Sequence, residues 1–256
     1  TGALSSYMIE GQEILKEALM PSFGRAPLEN DMGAVMHDKL NMWRYPEYSV
    51  AAFDVAKNAG YYTVDVKYAP FGKYCFVTMS YQVHADGSIR VSEKLNDAGE
   101  LSKAPYLFRF GMKLAMPGEY STLDFYGRGP WDNYCDRKSA ALVGHYTQRV
   151  QDQYWYGYVR TQSCGTKSDL RWLKVVNTAG TGLEITSDEL FSGSALPFSQ
   201  KEMDSALTNP MPRPNPTNTQ QGNATHSLEL LPLAHNDARS LGTTYVNFDL
   251  KEMGVG

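Results

Sequence analysis

Residues 74–95 read YCFVTMSYQVHADGSIRVSEKL, and this stretch decides the fold class. Apolar and polar side chains alternate on both sides of Asp86-Gly87, as they do along strands with one buried face. An Asp-Gly link supplies the positive φ angles that a two-residue antiparallel turn needs. The stretch therefore predicts a β-hairpin with strands at 74–85 and 88–95. A second hairpin is read from LRWLKVVNTAGTGLEITS at 170–187, where Gly180 and Gly182 separate strands at 170–177 and 183–187. Further period-two runs at 3–9, 61–68, 107–116, 121–126, 227–231 and 243–250 follow at hairpin-like spacing. That rhythm predicts an all-β protein built as a large antiparallel sandwich.

Helical signals are few. Ser199 followed by Gln200-Lys201-Glu202 has the form of an N-cap with an acidic first turn, and predicts a short helix opening SQKEMDSALT. Residues 209–223, NPMPRPNPTNTQQGN, carry four prolines and cannot hold a sheet ladder, so a surface loop open to proteolysis is expected there. Strand signals continue on both sides of it, and 1–256 reads as one domain.

The 256 residues hold 24 basic and 28 acidic side chains, a net charge of -4, without any Lys/Arg run. Nucleic-acid binding would lack its electrostatic term, so no nucleic acid is expected as a partner. With 42% hydrophobic and 12% aromatic residues there is enough apolar surface to fill a core, which excludes a disordered chain. No stretch approaches the roughly 18 to 20 apolar residues of a membrane span, so no membrane is expected either. The opening TGALSSYMIEG has neither the basic start nor the apolar run of a signal peptide. It has no initiator Met and reads like mid-strand sequence, as in a piece of a longer polypeptide whose targeting segment lies elsewhere. Localisation is not legible.

Chemistry-bearing motifs are sparse. Cys75, Cys135 and Cys164 are odd in number and far apart, which points to free thiols rather than a disulfide framework or a metal site. His37, His84, His145, His226 and His235 have no metal-ligand spacing. No GxSxG elbow and no phosphate-binding glycine loop occurs. Spacing cannot single out a facing carboxyl pair among 28 acids, so no catalytic residue, metal ligand or cofactor is assigned to this chain.

What stands out is 17 Tyr, 10 Phe and 4 Trp. An aromatic ring suits the apolar C–H face of a sugar, while Asn, Asp and Arg suit its hydroxyls. The segment FYGRGPWDNYCDR at 125–137 concentrates both. Its Gly and Pro residues force an irregular turn that would present Arg128, Trp131, Asp132, Asn133 and Tyr134 together, a candidate carbohydrate contact. The alternative is a turn whose aromatics plug the end of the sandwich and whose Arg-Asp pairs hold the loop.

FGRAPLENDMG (23–33), FYGRGPWDNYCDRKSAALVGHY (125–146), GTKSDLRWL (165–173), FSGSALPFSQKEMDSA (191–206) and YVNFDLKEMGVG (245–256) resemble successive blocks of one family, in family order and across nearly the whole chain. It is the C-terminal small-chain domain, domain 5, of the family-two β-galactosidases. The resemblance implies a β supersandwich of galactose mutarotase-like fold. It also implies a separate (β/α)₈ barrel as partner, carrying the catalytic glutamates and any Mg²⁺ or Na⁺, with a β-galactoside as substrate and a homo-oligomer as the intact enzyme. By the same resemblance, Gly33, Ala34, Val35, Met36 and His37 form a mobile loop bordering the active site, with Gly33 as hinge. Arg25, Glu29, Asn30 and Asp31 form the hydrogen-bonded corner that anchors it.

The sequence departs from the family at Phe23-Gly24, where Phe-Trp is more usual, and at Trp131, where His is common. The stretch 209–223 looks like an insertion, and the family's Gly-Asp-x-Ser-Trp segment after MGVG is not in this chain. Two other readings compete. One is a mutarotase-like hexose epimerase, for which His84, His145 and Glu229 would have to converge. The other is a carbohydrate-binding module built on Trp131 and Tyr134.

Overall fold

The computed structural model describes residues 1–155, 157–158, 161–204 and 242–255. The expected loop at 209–223, the strand at 227–231 and the residues His226, His235 and Glu229 lie outside the described residues, as does the end of the 199–208 helix.

Alternating sequence becomes alternating burial. Strands β1 (Met8–Ile9), β2 (Gln12–Glu13), β3 (Glu17–Ser22), β4 (Val50–Lys57), β5 (Tyr61–Tyr68), β6 (Cys75–His84) and β7 (Ile89–Asp97) come first. They are followed by β8 (Arg109–Pro117), β9 (Thr122–Gly129), β10 (Leu142–Arg149), β11 (Lys167–Val176), β12 (Gly182–Leu196) and β13 (Thr243–Glu252). In β6 every second residue, Cys75, Val77, Met79 and Tyr81, is buried, as the hairpin pattern requires. Gly87 takes φ of 87°, and His84 and Ser88 close the turn between β6 and β7 by a backbone hydrogen bond of 3.0 Å.

All three sheets among the described residues are antiparallel. β4-β5-β6-β7 form a four-stranded sheet, β10-β9-β11-β12-β13-β8-β3 a seven-stranded one, and β1-β2 a small ribbon. One apolar core joins the two large sheets. It takes Val66, Tyr68, Val77 and Met79 from the first and Leu114, Met116, Leu123, Phe125, Leu173, Val175 and Val246 from the second. This is the all-β sandwich the sequence predicts.

The differences are local. The run at 3–9 contributes only the two residues of β1 and a single bridge from Leu4 to Leu19. Strands β3, β4 and β10, absent from the sequence reading, complete the sheets. α1 (Glu29–Gly33) and α2 (Met36–Lys39) are single helical turns where only a loop is expected. α3 (Gln200–Met203) begins at the expected cap, with Ser199 Oγ accepting from the Glu202 N–H at 3.1 Å and the Glu202 carboxylate accepting from the Ser199 N–H at 2.7 Å. A second apolar cluster, of Ala26, Tyr154, Cys164, Leu196, Phe198 and Met203, packs around the segment before α1. No helix among the described residues is long and apolar enough to cross a membrane.

Candidate functional site

The candidate site is built around Arg25, which follows β3 and is buried. A buried guanidinium needs a carboxylate and further acceptors for its remaining N–H groups. Asp31 meets the first need in bidentate form, with Nε to Oδ2 at 3.0 Å and Nη2 to Oδ1 at 2.9 Å. The carbonyls of Met253 and Gly254 meet the second at 2.8 and 2.9 Å. Asp31 also accepts from the Leu28 N–H at 2.9 Å and so fixes the entry to α1. The Asn30 side-chain amide donates to the Val255 carbonyl at 2.5 Å. Glu29 has an exposed side chain and joins the corner through its backbone N–H, which donates to Gln162 Oε1 at 3.2 Å.

These contacts gather segments far apart in sequence. The Val255 N–H donates to Asp136 Oδ2 at 2.8 Å, and Cys135 Sγ to the Glu252 carbonyl at 3.4 Å. The Asn133 and Ser163 N–H groups reach the carbonyls of Thr166 and Ala26. Residues 25–31, 133–137, 162–166 and 252–255 thus meet at one end of the sandwich, where the side chains of Arg25, Asn30 and Asp31 are hydrogen-bonded and that of Glu29 is exposed.

The expected loop leaves this corner through α1. Gly33, Ala34 and Val35 are exposed, whereas Met36 and His37 are half-buried. Gly33 has ordinary helical backbone in this structure, and a Cβ there would meet no atom within 4 Å. The left-handed residue is Val35, with φ of 57° between α1 and α2. The hinge argument from glycine's freedom at position 33 therefore has no counterpart in this conformation, since the unusual angles sit two residues further on. The loop returns to the body where the His37 carbonyl accepts from Arg44 Nη1 at 3.2 Å.

On β9 and the turn after it, four of the five residues expected to contact carbohydrate are taken up by the protein itself, Asp132 through its ion pair with Arg137. Arg128 is ion-paired to Asp169 at 2.5 Å and donates to the Ala141 carbonyl at 2.8 Å. Asn133 is buried. Its amide donates to the carbonyls of Arg128 and Trp131 at 2.9 Å each, and its oxygen accepts from the N–H and hydroxyl of Ser168. Tyr134 is also buried, with the Arg137 guanidinium 5.3 Å from its ring centroid. Trp131 is the exception, at 71% exposure on the turn after the Gly129-Pro130 cis bond. Behind that turn Lys167 is buried, its ammonium donates to the Pro130 carbonyl at 3.0 Å, and burial lowers it to about 8. Burial tends to raise the Asp169 carboxyl, but the hydrogen bonds and charges of Lys138 and Arg128 outweigh it and hold the group below its ordinary value.

Sequence reasoning did not find Trp155, a second indole at 61% exposure, nor the role of the 253–255 carbonyls. Neither carried a signal, because backbone acceptors have no residue type and a lone Trp reads as core. His84 and His145 lie on different sheets, in β6 and β10, so the structure does not bring them together. His145 instead pairs with Asp124 at 2.8 Å. Among the described residues no group of three or more His, Cys, Asp or Glu side chains could hold a metal ion. Three acids at this end of the sandwich are engaged, Asp31 with Arg25, Asp132 with Arg137 at 3.2 Å, and Asp136 with the Val255 N–H, whereas the Glu29 carboxylate is exposed. Such an arrangement can fix a loop and offer an indole face.

The family model described as "Beta galactosidase small chain" matches residues 1–256. Among known proteins, the chain is 30% identical over 205 residues to a β-galactosidase of Priestia megaterium, covering 79% of this chain and 19% of that protein. It is 30% identical over 223 residues to a β-galactosidase of Photobacterium profundum, with 80% and 20% covered. The β-galactosidase of Lactobacillus delbrueckii subsp. bulgaricus is similar at 30% over 205 residues, with 78% and 20% covered. The chain thus spans about a fifth of the length of these relatives. Matched from its first residue to its last, it belongs to the β-galactosidase small-chain family.

Proposed function

We propose that this chain is the C-terminal part, domain 5, of a family-two β-galactosidase that hydrolyses terminal β-D-galactosides. In this reading the domain has a galactose mutarotase-like supersandwich fold and no catalytic residue of its own. It packs against a (β/α)₈ barrel that carries the catalytic glutamates and any Mg²⁺ or Na⁺, and it stabilises that barrel and a homo-oligomeric assembly. The observation that carries it is the Arg25 corner. A buried bidentate ion pair, cross-tied to 253–255, holds the base of an exposed loop rigidly, as a wall bordering another domain's active site requires. Trp131 supports direct sugar contact as a second reading, since an exposed indole at a fixed turn is a stacking platform for a pyranose.

An NMR time course tests the first reading. The purified chain is mixed with freshly dissolved α-galactose and lactose, whose anomer exchange and cleavage give separate signals. The proposal expects neither reaction to exceed the buffer control, and hydrolysis to appear when the remaining part of the enzyme is added back. Lactose cleavage by the chain alone, abolished by changing one of its own Glu residues, overturns it. Accelerated anomer exchange would instead revive the epimerase.

A further inference from the structure

Building on the wall role given above to the exposed loop, we propose that Arg44 and Asp204 are its positioning residues, a buried ion pair that holds the returning end of the loop as the Arg25 corner holds the outgoing end. The loop is exposed at 33–35 and 38–39, and the chain is buried again at Leu40, Trp43 and Arg44. Its helical turns, α1 and α2, are five and four residues long, too short to hold themselves in place. Where the loop stands is therefore decided by what its two ends are tied to. Gly24, the residue before Arg25, brings those ends together. A Cβ there would lie 2.5 Å from the Arg44 Cα and 2.7 Å from the Trp43 carbonyl oxygen, so glycine is what lets the two backbones touch.

Arg44 gathers three parts of the molecule at that point. Its Nη2 donates to Oδ2 of Asp204, the residue that ends α3. Its Nη1 reaches back into the loop, to the His37 carbonyl at 3.2 Å and to Asn41 Oδ1 at 3.4 Å. Its own carbonyl accepts from Gln200 Nε2 in α3 at 3.2 Å. The Tyr45 hydroxyl is a second donor to Asp204 Oδ2, at 2.8 Å. One guanidinium thus ties α2 to α3. The two anchors differ in kind. Arg25 engages all three of its nitrogens, whereas Arg44 Nε and Asp204 Oδ1 are buried without a hydrogen-bond partner. Unpaired buried groups offset much of what an ion pair contributes to folding, so replacing this pair by apolar side chains of similar size is close to neutral for stability. What such a replacement removes is the tie to His37, and with it the fixed position of the loop.

The double variant Arg44→Met/Asp204→Leu makes that replacement. In the 256-residue chain its Tm should stay close to wild type, while trypsin cuts after Lys39 at least about fivefold faster, as read by mass spectrometry of the fragments. In the full-length enzyme the same change should raise KM for lactose at least about fivefold with kcat within about twofold, because a displaced wall weakens contacts made alike in the ground and transition states. Loss of folded enzyme would instead lower kcat at unchanged KM. Gly24→Ala is the second arm: it pushes the two backbones apart without touching either charge, and should raise KM in the same way. Wild-type cutting after Lys39, or a KM that stays at the wild-type value in both variants, with or without a fall in kcat, overturns the proposal. Full-length wild-type enzyme that leaves lactose intact overturns the wall role beneath it, and the trypsin comparison then still decides whether the pair holds the loop.

Discussion

At the scale of single residues, the corner makes a sharp prediction because its parts are buried. Asp31→Asn keeps the shape of the side chain and removes its charge, leaving Arg25 inside the protein with only carbonyls as acceptors. A buried charge left without its partner costs about 3 kcal/mol, and denaturant unfolding should show a loss of that size. Asp136→Asn, which changes an exposed acceptor, should cost less than about 1 kcal/mol by the same measurement. Gly33→Ala separates conformation from motion. The helical backbone and the open space around position 33 mean that alanine should stabilise this state by about 0.5–1 kcal/mol. If the loop swings through angles that only glycine takes easily, turnover of the full-length enzyme should nevertheless fall; a more stable enzyme with unchanged turnover and substrate affinity removes Gly33 as the hinge. The contrast shows what was legible in the site. Arg25, Asn30 and Asp31 were named by a block of sequence, and the structure ties them together. The commitments of Arg128, Asn133 and Tyr134 were not legible, because whether a polar side chain faces a sugar or its own backbone depends on partners forty residues away, such as Asp169.

At the scale of elements, a strand could be read from sequence when one of its faces was buried and apolar. β6 alternates cleanly for that reason, and β5, β11 and β13 alternate over part of their length. β3 contains Pro21, which demotes a strand; its place at the edge of the sheet, with β8 as its one strand neighbour and a single bridge at Leu19 on the other side, is where proline is tolerated. β4 is exposed along all eight residues and has no inward phase to detect. In β10 the partly buried positions are Gly144, Tyr146 and Gln148, which do not read as an apolar face. α1 and α2 are five and four residues long, too short to display a helical period. α3 is equally short, yet it was legible because capping is written in side chains. Ser199→Ala removes the acceptor for the Glu202 N–H and should cost about 1 kcal/mol in thermal or chemical unfolding, while Ser199→Asp should preserve the cap.

At the scale of the whole molecule, the two sheets share a core that includes one acid in an apolar phase. In β7 the inward series runs Ile89, Val91, Glu93, Leu95, and the core side of Glu93 is visible in the sequence once the strand is known. Both carboxyl oxygens of Glu93 are buried without a hydrogen-bond partner. Burial first, and the charge of Asp249 second, push this carboxyl up to about 9. Asp249 is itself pushed up to about 7 by burial, against the pull of Arg109. The sign follows from proton counting. Between the ordinary carboxyl range near pH 4 and pH 9, the folded chain keeps a proton on Glu93 that the unfolded chain has released, so stability falls as pH rises through that window. Asp249 adds to the fall between about pH 4 and 7, in the same direction. Glu93→Gln replaces the acid with a neutral side chain of the same size that cannot ionise. It should therefore raise stability by at least about 1 kcal/mol at pH 9 and leave it little changed at pH 4, flattening the slope. Urea unfolding of both proteins at several pH values decides this. Parallel curves for wild type and Glu93→Gln would mean that Glu93 ionises in the folded state as easily as in water, and that water reaches the core between the two sheets.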